Sequence, residues 1–152
     1  MSINCIRALL EDAVLSHSDK TAVVFNEQSV SYAELFSKVN QVASYLTELD
    51  LPAHSRVGVY SNKGIEQVIA ILAILSTDYV LVPLTRLLKP EQVEYIINDC
   101  DIKCIVTDRV KLESIEEIEI IISFFYQKIL SSEHRPAAIL DSNYDIWTLG
   151  AK

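Results

Sequence analysis

Ile6, Leu9, Leu10 and Ala13 recur at helical spacing and leave Arg7, Glu11 and Asp12 outside, which predicts an amphipathic surface helix over Ile3 to His17. Ala22 to Phe25 is a short β-branched run, Asn26-Glu27 reads as a turn, and a second strand ends near Val30, which together make a hairpin. Ser31-Tyr-Ala-Glu34 fits a capping box: the serine oxygen accepts from the amide at Glu34, and the glutamate reaches back to the amide at Ser31. The helix it starts keeps Leu35, Val39, Val42, Leu46 and Leu49 on one face until Asp50, and Pro52 marks the exit.

From Arg56 the period changes. Val57 to Tyr60 is a short apolar strand, Ser61-Asn62 reads as a helix cap, and Ile65 to Leu75 is a helix apolar nearly all round, so it must be covered on more than one side. Tyr79 to Val82 is a second strand, ended by Pro83. Pro90 opens a further helix with Val93, Ile96, Ile97 and Cys100 as its stripe, and Lys103 to Thr107 is a third strand. Strand, helix, strand, helix, strand with short connections predicts two right-handed crossovers and an α/β fold, a parallel sheet with helices on its faces. Ile115, Ile118, Ile121, Ile122, Phe125 and Ile129 favour a helix, although Ile120 to Ile122 and Phe124 to Tyr126 also suit a strand. Ser131 to Arg135 is a polar break, and Ala137 to Leu140 is a short strand. The division this implies is a domain over 1–140 and a tail over 141–152.

Composition narrows the function classes. With 50% apolar and 22% charged residues, the 152-residue chain is ordinary globular material for one domain. Its 21 acidic against 13 basic residues, a net charge of -8, would repel a phosphate backbone, so nucleic acid is not an expected partner. The longest apolar run, Val68 to Leu75, is far short of the roughly 20 residues needed to span a bilayer, and no leader pattern opens the chain. Cys5, Cys100 and Cys104 are too few for a disulfide framework, which predicts free thiols and a cytoplasmic location.

Candidate chemistry is sparse. Gly58, Gly64 and Gly150 are the only glycines, too few and too far apart for a phosphate-cradling loop, and the Gly58 to Gly64 spacing lacks the following Lys-Ser or Lys-Thr. Cys100 and Cys104 lack two further metal ligands nearby, and read as thiols at a helix end and in a strand. His17, His54 and His134 have no partner at a triad spacing and read as exposed loop residues. Glu113, Glu116, Glu117 and Glu119 read as a solvated helix face, and Tyr32, Phe36 and Tyr45 as packing residues. No catalytic, cofactor-binding or metal-binding residue is assigned.

Ser31-Tyr-Ala-Glu-Leu35, Arg56-Val-Gly-Val-Tyr60, Ala73 to Leu84 and Ile105-Val-Thr-Asp108 occur in the order and spacing of an N-terminal region that resembles the AMP-forming adenylating enzymes. That superfamily comprises acyl-CoA synthetases, peptide-synthetase adenylation domains and luciferases. Leu87 to Val93 with Asn98-Asp-Cys100 is most similar to AMP-forming acyl-CoA ligases associated with exosortase and exopolysaccharide clusters. The resemblance covers residues 5 to 108. It implies that the Ser31 segment packs an early helix and that the Leu84 segment is a core strand of a nucleotide-binding subdomain.

For a complete enzyme the resemblance implies ATP, Mg and CoA. A carboxylic acid would form an acyl-adenylate and pyrophosphate, then pass to CoA. The family's Ser/Thr/Gly-rich loop with its lysine, adenine-stacking aromatic, ribose-binding aspartate and mobile-domain lysine are not found in this sequence. Where the family places glycine between helix and strand, Thr77-Asp78-Tyr79 stands here, and an aromatic residue at positive φ would be strained.

The reading is thus a truncated N-terminal fragment of an acyl-CoA ligase, inactive alone and needing no cofactor of its own. Its expected partner is a C-terminal ligase half, or itself through an apolar patch of the order of several hundred Å2 left on the Ile65 to Leu75 helix. The alternative is a non-catalytic α/β interaction module or a subunit of a split ligase. Pro136 to Ser142 resembles the segment preceding the family's phosphate loop, and Thr148 to Lys152 stands where that loop begins. A two-base shift of suitable codons there gives Ser-Gly-Ser-Lys, which predicts a frameshift at this point.

Overall fold

The computed structural model describes residues 5–108 and 111. The chain opens with helix α1 (Ile6–His17), then an antiparallel hairpin of β1 (Thr21–Phe25) and β2 (Gln28–Ser31). Asn26 takes the left-handed turn conformation at φ 55°, which a short amide side chain tolerates. Helix α2 (Tyr32–Glu48) follows at once. Its capping box is formed as the sequence predicts: Ser31 Oγ accepts from the Glu34 amide at 3.1 Å, and Glu34 Oε2 accepts from the Ser31 amide at 2.8 Å.

The second half alternates β3 (Arg56–Tyr60), α3 (Ile65–Leu75), β4 (Val80–Leu84), α4 (Pro90–Asp99) and β5 (Ile102–Thr107). The three strands form one parallel sheet in the order β4-β3-β5, so the connection through α4 passes across β3. This is the α/β architecture expected from the strand-helix alternation. Successive residues of β3 face opposite sides of the sheet. Val57 and Val59 join Cys104, Val106 and the α3 residues Ile69, Ala70, Ala73 and Ile74 in one core, which α2 completes with Leu35, Val39, Val42 and Leu46. Tyr60 joins Leu84, Ile102 and Ile105 in a second core, closed by Val93 and Ile97 of α4. Helices α3 and α4 therefore cover opposite faces.

Gly58 sits under the second core for want of room. A Cβ there would lie 3.3 Å from Ile105 Cγ1 and 3.5 Å from both Ile102 Cδ1 and Leu84 Cδ1.

Several local expectations are corrected. Ser61-Asn62 does not cap α3; the N-cap is Gly64, with no side-chain cap bond, because Ser61 is buried and the Asn62 amide is engaged elsewhere. Strand β4 begins at Val80 rather than Tyr79 and runs through Pro83 to Leu84; β4 is an edge strand, where the missing proline N–H costs no ladder bond. The Thr77-Asp78-Tyr79 turn is not strained, since none of the three has positive φ. Thr77 Oγ1 accepts from the Tyr79 amide at 3.1 Å, and the Tyr79 hydroxyl donates to the Leu46 carbonyl at 3.2 Å, so the aromatic ring is a buried brace between this turn and α2.

On α1 only Leu10 is buried; Ile6 and Leu9 are exposed, so the inward stripe is narrower than the sequence pattern suggests. Ile3 and everything after Lys111 lie outside the described residues, among them the predicted 115–129 helix, the glutamate cluster Glu113 to Glu119, His134, the Ala137 to Leu140 strand and the 141–152 tail.

Candidate functional site

In doubly wound sheets a crevice opens at the carboxyl ends of adjacent strands whose following helices leave toward opposite faces, and ligands enter there. Here β3 leads to α3 on one face and β4 leads to α4 on the other, so that crevice lies between the ends of β3 and β4. At this end of the sheet Tyr60 and Lys111 bond to the loop that follows β4. Tyr60, the last residue of β3, is fully buried and donates its hydroxyl to the Leu88 carbonyl at 3.0 Å. Lys111 Nζ donates to the Arg86 carbonyl at 2.7 Å and stands 5.2 Å from the centre of the Tyr60 ring.

The neighbouring strand ends are tied together as well. Thr107 Oγ1, at the end of β5, donates to the Tyr60 carbonyl. Asp108 follows, and its carboxylate accepts from two backbone amides, Asn62 at 2.6 Å and Lys111 at 2.9 Å. Asp108 thus anchors the loop before α3 from a distant part of the chain, while the first turn of α3 has no side-chain cap. Ser61 Oγ is buried without a hydrogen-bond partner, while the Ser61 carbonyl accepts from Gln67 Nε2 at 3.4 Å. These groups were not singled out as chemistry in the sequence. The available signal was an aspartate directly after a buried apolar strand, the place where such sheets present functional side chains.

The Asn62 amide is engaged by the Asp108 carboxylate, which places a negative charge beside the loop leading to α3. Among the described residues no group of three or more His, Cys, Asp or Glu side chains is placed to hold a metal ion. None of the described helices is long and apolar enough to cross a membrane.

The other residues weighed in the sequence take structural places. Cys100 is half-buried at the end of α4, Cys104 is buried in β5, and Cys5 is exposed, where its sulfur accepts from the Ala8 amide at the start of α1. His17 and His54 are exposed, and His17 lies beside the Tyr32 ring. Tyr32 and Phe36 pack against the first core and Tyr45 is within it, as expected of packing residues. Burial, with Cys104 and Glu48 adding to it, pushes the Tyr45 hydroxyl up to about 12; burial likewise raises Tyr79 and the Cys104 thiol.

The sequence matches the AMP-binding enzyme family over residues 10–141. It is 31% identical to tyrocidine synthase 1 of Brevibacillus parabrevis over 95% of this chain and 14% of that protein. It is 32% identical to zwittermicin A synthase ZmaJ of Bacillus cereus over 69% of this chain and 20% of that protein. Among solved structures, the anthranilate CoA ligase AuaEII superimposes with a TM-score of 0.74 at 22% identity, over 82% of this chain and 26% of that one. The N-terminal subdomain of Klebsiella oxytoca NpsA superimposes with the same TM-score, 0.74, at 15% identity, over 96% of this chain and 37% of that one. The chain therefore spans a minor part of the length of the relatives it matches, and what it shares with these solved structures is the N-terminal fold of adenylate-forming enzymes. By the match over residues 10–141, the chain belongs to the AMP-binding enzyme family.

Proposed function

We propose that residues 5–108 build a scaffold for a carboxylate-activating enzyme of the acyl-CoA ligase type, and that this chain performs no adenylation by itself. The observation that carries the reading is the set of contacts at the carboxyl end of the sheet: Tyr60 and Lys111 bond to the loop after β4, and Gly64 is the only glycine in the loops that follow β3 and β4. A phosphate site at a helix start needs free amides and close backbone approach, and here the Asn62 amide is engaged by a carboxylate. The activating groups would come from the rest of an adenylating enzyme, which is the partner this reading assigns.

The acyl-CoA ligase type rests on Leu87 to Val93 and Asn98 to Cys100, which form the approach and the end of α4. A second reading, amino acid activation for peptide synthesis, is favoured by the 31% identity to tyrocidine synthase 1. Both use a carboxylate attacking ATP; they differ in the acid and in the acceptor thiol.

The test is exchange of labelled pyrophosphate into ATP by the purified 152-residue chain, with fatty, aromatic and amino acids offered in turn. No acid-dependent exchange is expected, and robust exchange would overturn the scaffold reading. Co-expression with the remaining portion of an acyl-CoA ligase should yield acyl-CoA thioesters, whereas exchange supported only by amino acids would assign the chain to the second class.

A further inference from the structure

We propose that Asp108 and Lys111 together form a clasp that makes the loops after β3 and β4 open and close as one unit.

The chain of contacts crosses the carboxyl ends of all three strands. Asp108, just past β5, holds the loop after β3 through the Asn62 amide at 2.6 Å and holds Lys111 through its amide at 2.9 Å. Lys111 then reaches the loop after β4 through the Arg86 carbonyl at 2.7 Å, with its ammonium beside the Tyr60 ring. Tyr60 closes the circuit at the Leu88 carbonyl. Four of these five contacts involve an ionised group, and charge-assisted hydrogen bonds are stronger than neutral ones. Loops held by one shared set of such bonds form a cooperative unit: loss of either anchor releases both. A molecule entering between β3 and β4 would have to move Lys111 off the Arg86 carbonyl, and by this coupling would free the loop at Asn62 as well.

Residue-resolved amide hydrogen exchange on the full chain tests this. The Asn62 amide bonds to Asp108, and the Leu87 and Leu88 amides bond to Thr85, so they report the two loops separately. In Lys111→Met, exchange should rise about tenfold at Leu87, Leu88 and Asn62 together, with the amides of α2 and α3 unchanged. Lys111→Arg keeps a donor for Arg86 and should retain wild-type rates. Acceleration confined to Leu87 and Leu88, no acceleration at all, or equal loss in Lys111→Arg would overturn the clasp. Asp108→Asn should accelerate the same three amides; if it unfolds the chain, the Lys111 variants decide alone.

Discussion

The two faces of the parallel sheet are covered to different depths, and the helices record the difference. Helix α3 lies between the sheet and α2, and its sequence from Ile65 to Leu75 carries only Glu66 and Gln67 as polar residues. Helix α4 is a single layer: Val93 and Ile97 are buried, while Glu91, Gln92, Glu94, Asn98 and Asp99 face solvent. A helix with neighbours on two sides has no use for a polar face, whereas one with solvent behind it needs such a face. The hydrophobic pattern of each helix therefore reports how many layers surround it.

The largest test of this contrast is truncation at the centre of each face. Ile69→Ala should cost about 4 kcal/mol in urea or thermal unfolding, and Ile97→Ala about 3 kcal/mol, because the single outer layer can settle into the space more easily. Equal costs, or a larger cost at Ile97, would break the comparison. A charge on the outer side of each helix should separate them further. Leu72 of α3 is partly buried against the first core, so Leu72→Lys should cost about 2 kcal/mol, while Tyr95 of α4 is 68% exposed and Tyr95→Lys should stay within about 0.5 kcal/mol.

The same contrast explains what could be read from the chain alone. The helices, the hairpin and the parallel strands were legible because their signals are local or periodic: the Ser31 to Glu34 box, Pro90 at a helix start, and alternation of strand and helix. The turn at Thr77 to Tyr79 escapes the expected strain because none of its residues takes a positive φ; Thr77 Oγ1 holds the Tyr79 amide, and the Tyr79 hydroxyl reaches the Leu46 carbonyl, more than thirty positions away. The start of α3 was not legible because the Asn62 amide is held by Asp108 through a tertiary contact and the helix begins after Gly64 with no side-chain cap. Asp50 and Asp101 take the left-handed conformation directly after the C-caps of α2 and α4, a role glycine usually fills.

The first core should also show itself at alkaline pH. Tyr45 has its pKa raised to about 12 by burial, with Tyr79 and Cys104 raised in the same direction, so folding favours their neutral forms. The stability Tyr45 adds is complete below the ordinary tyrosine value near 10 and is lost as pH rises toward about 12. Unfolding free energy should therefore fall over that window. Tyr45→Phe should reduce the slope, and an unchanged slope would show that Tyr45 is not the group responsible. A smaller effect belongs to the helix that covers α3: Ser31→Ala removes one half of the capping box and should lower stability by about 1 kcal/mol, read from the shift in urea midpoint.

On the proposed reading, the carboxyl end of this sheet, tied by Tyr60 and Lys111, supports an activating site without being one. Equilibrium dialysis of the purified chain against labelled ATP with magnesium measures it most directly. No saturable binding is expected up to millimolar nucleotide. Stoichiometric binding at micromolar ATP, weakened by Lys111→Met, would contradict it and place the nucleotide in the crevice between β3 and β4.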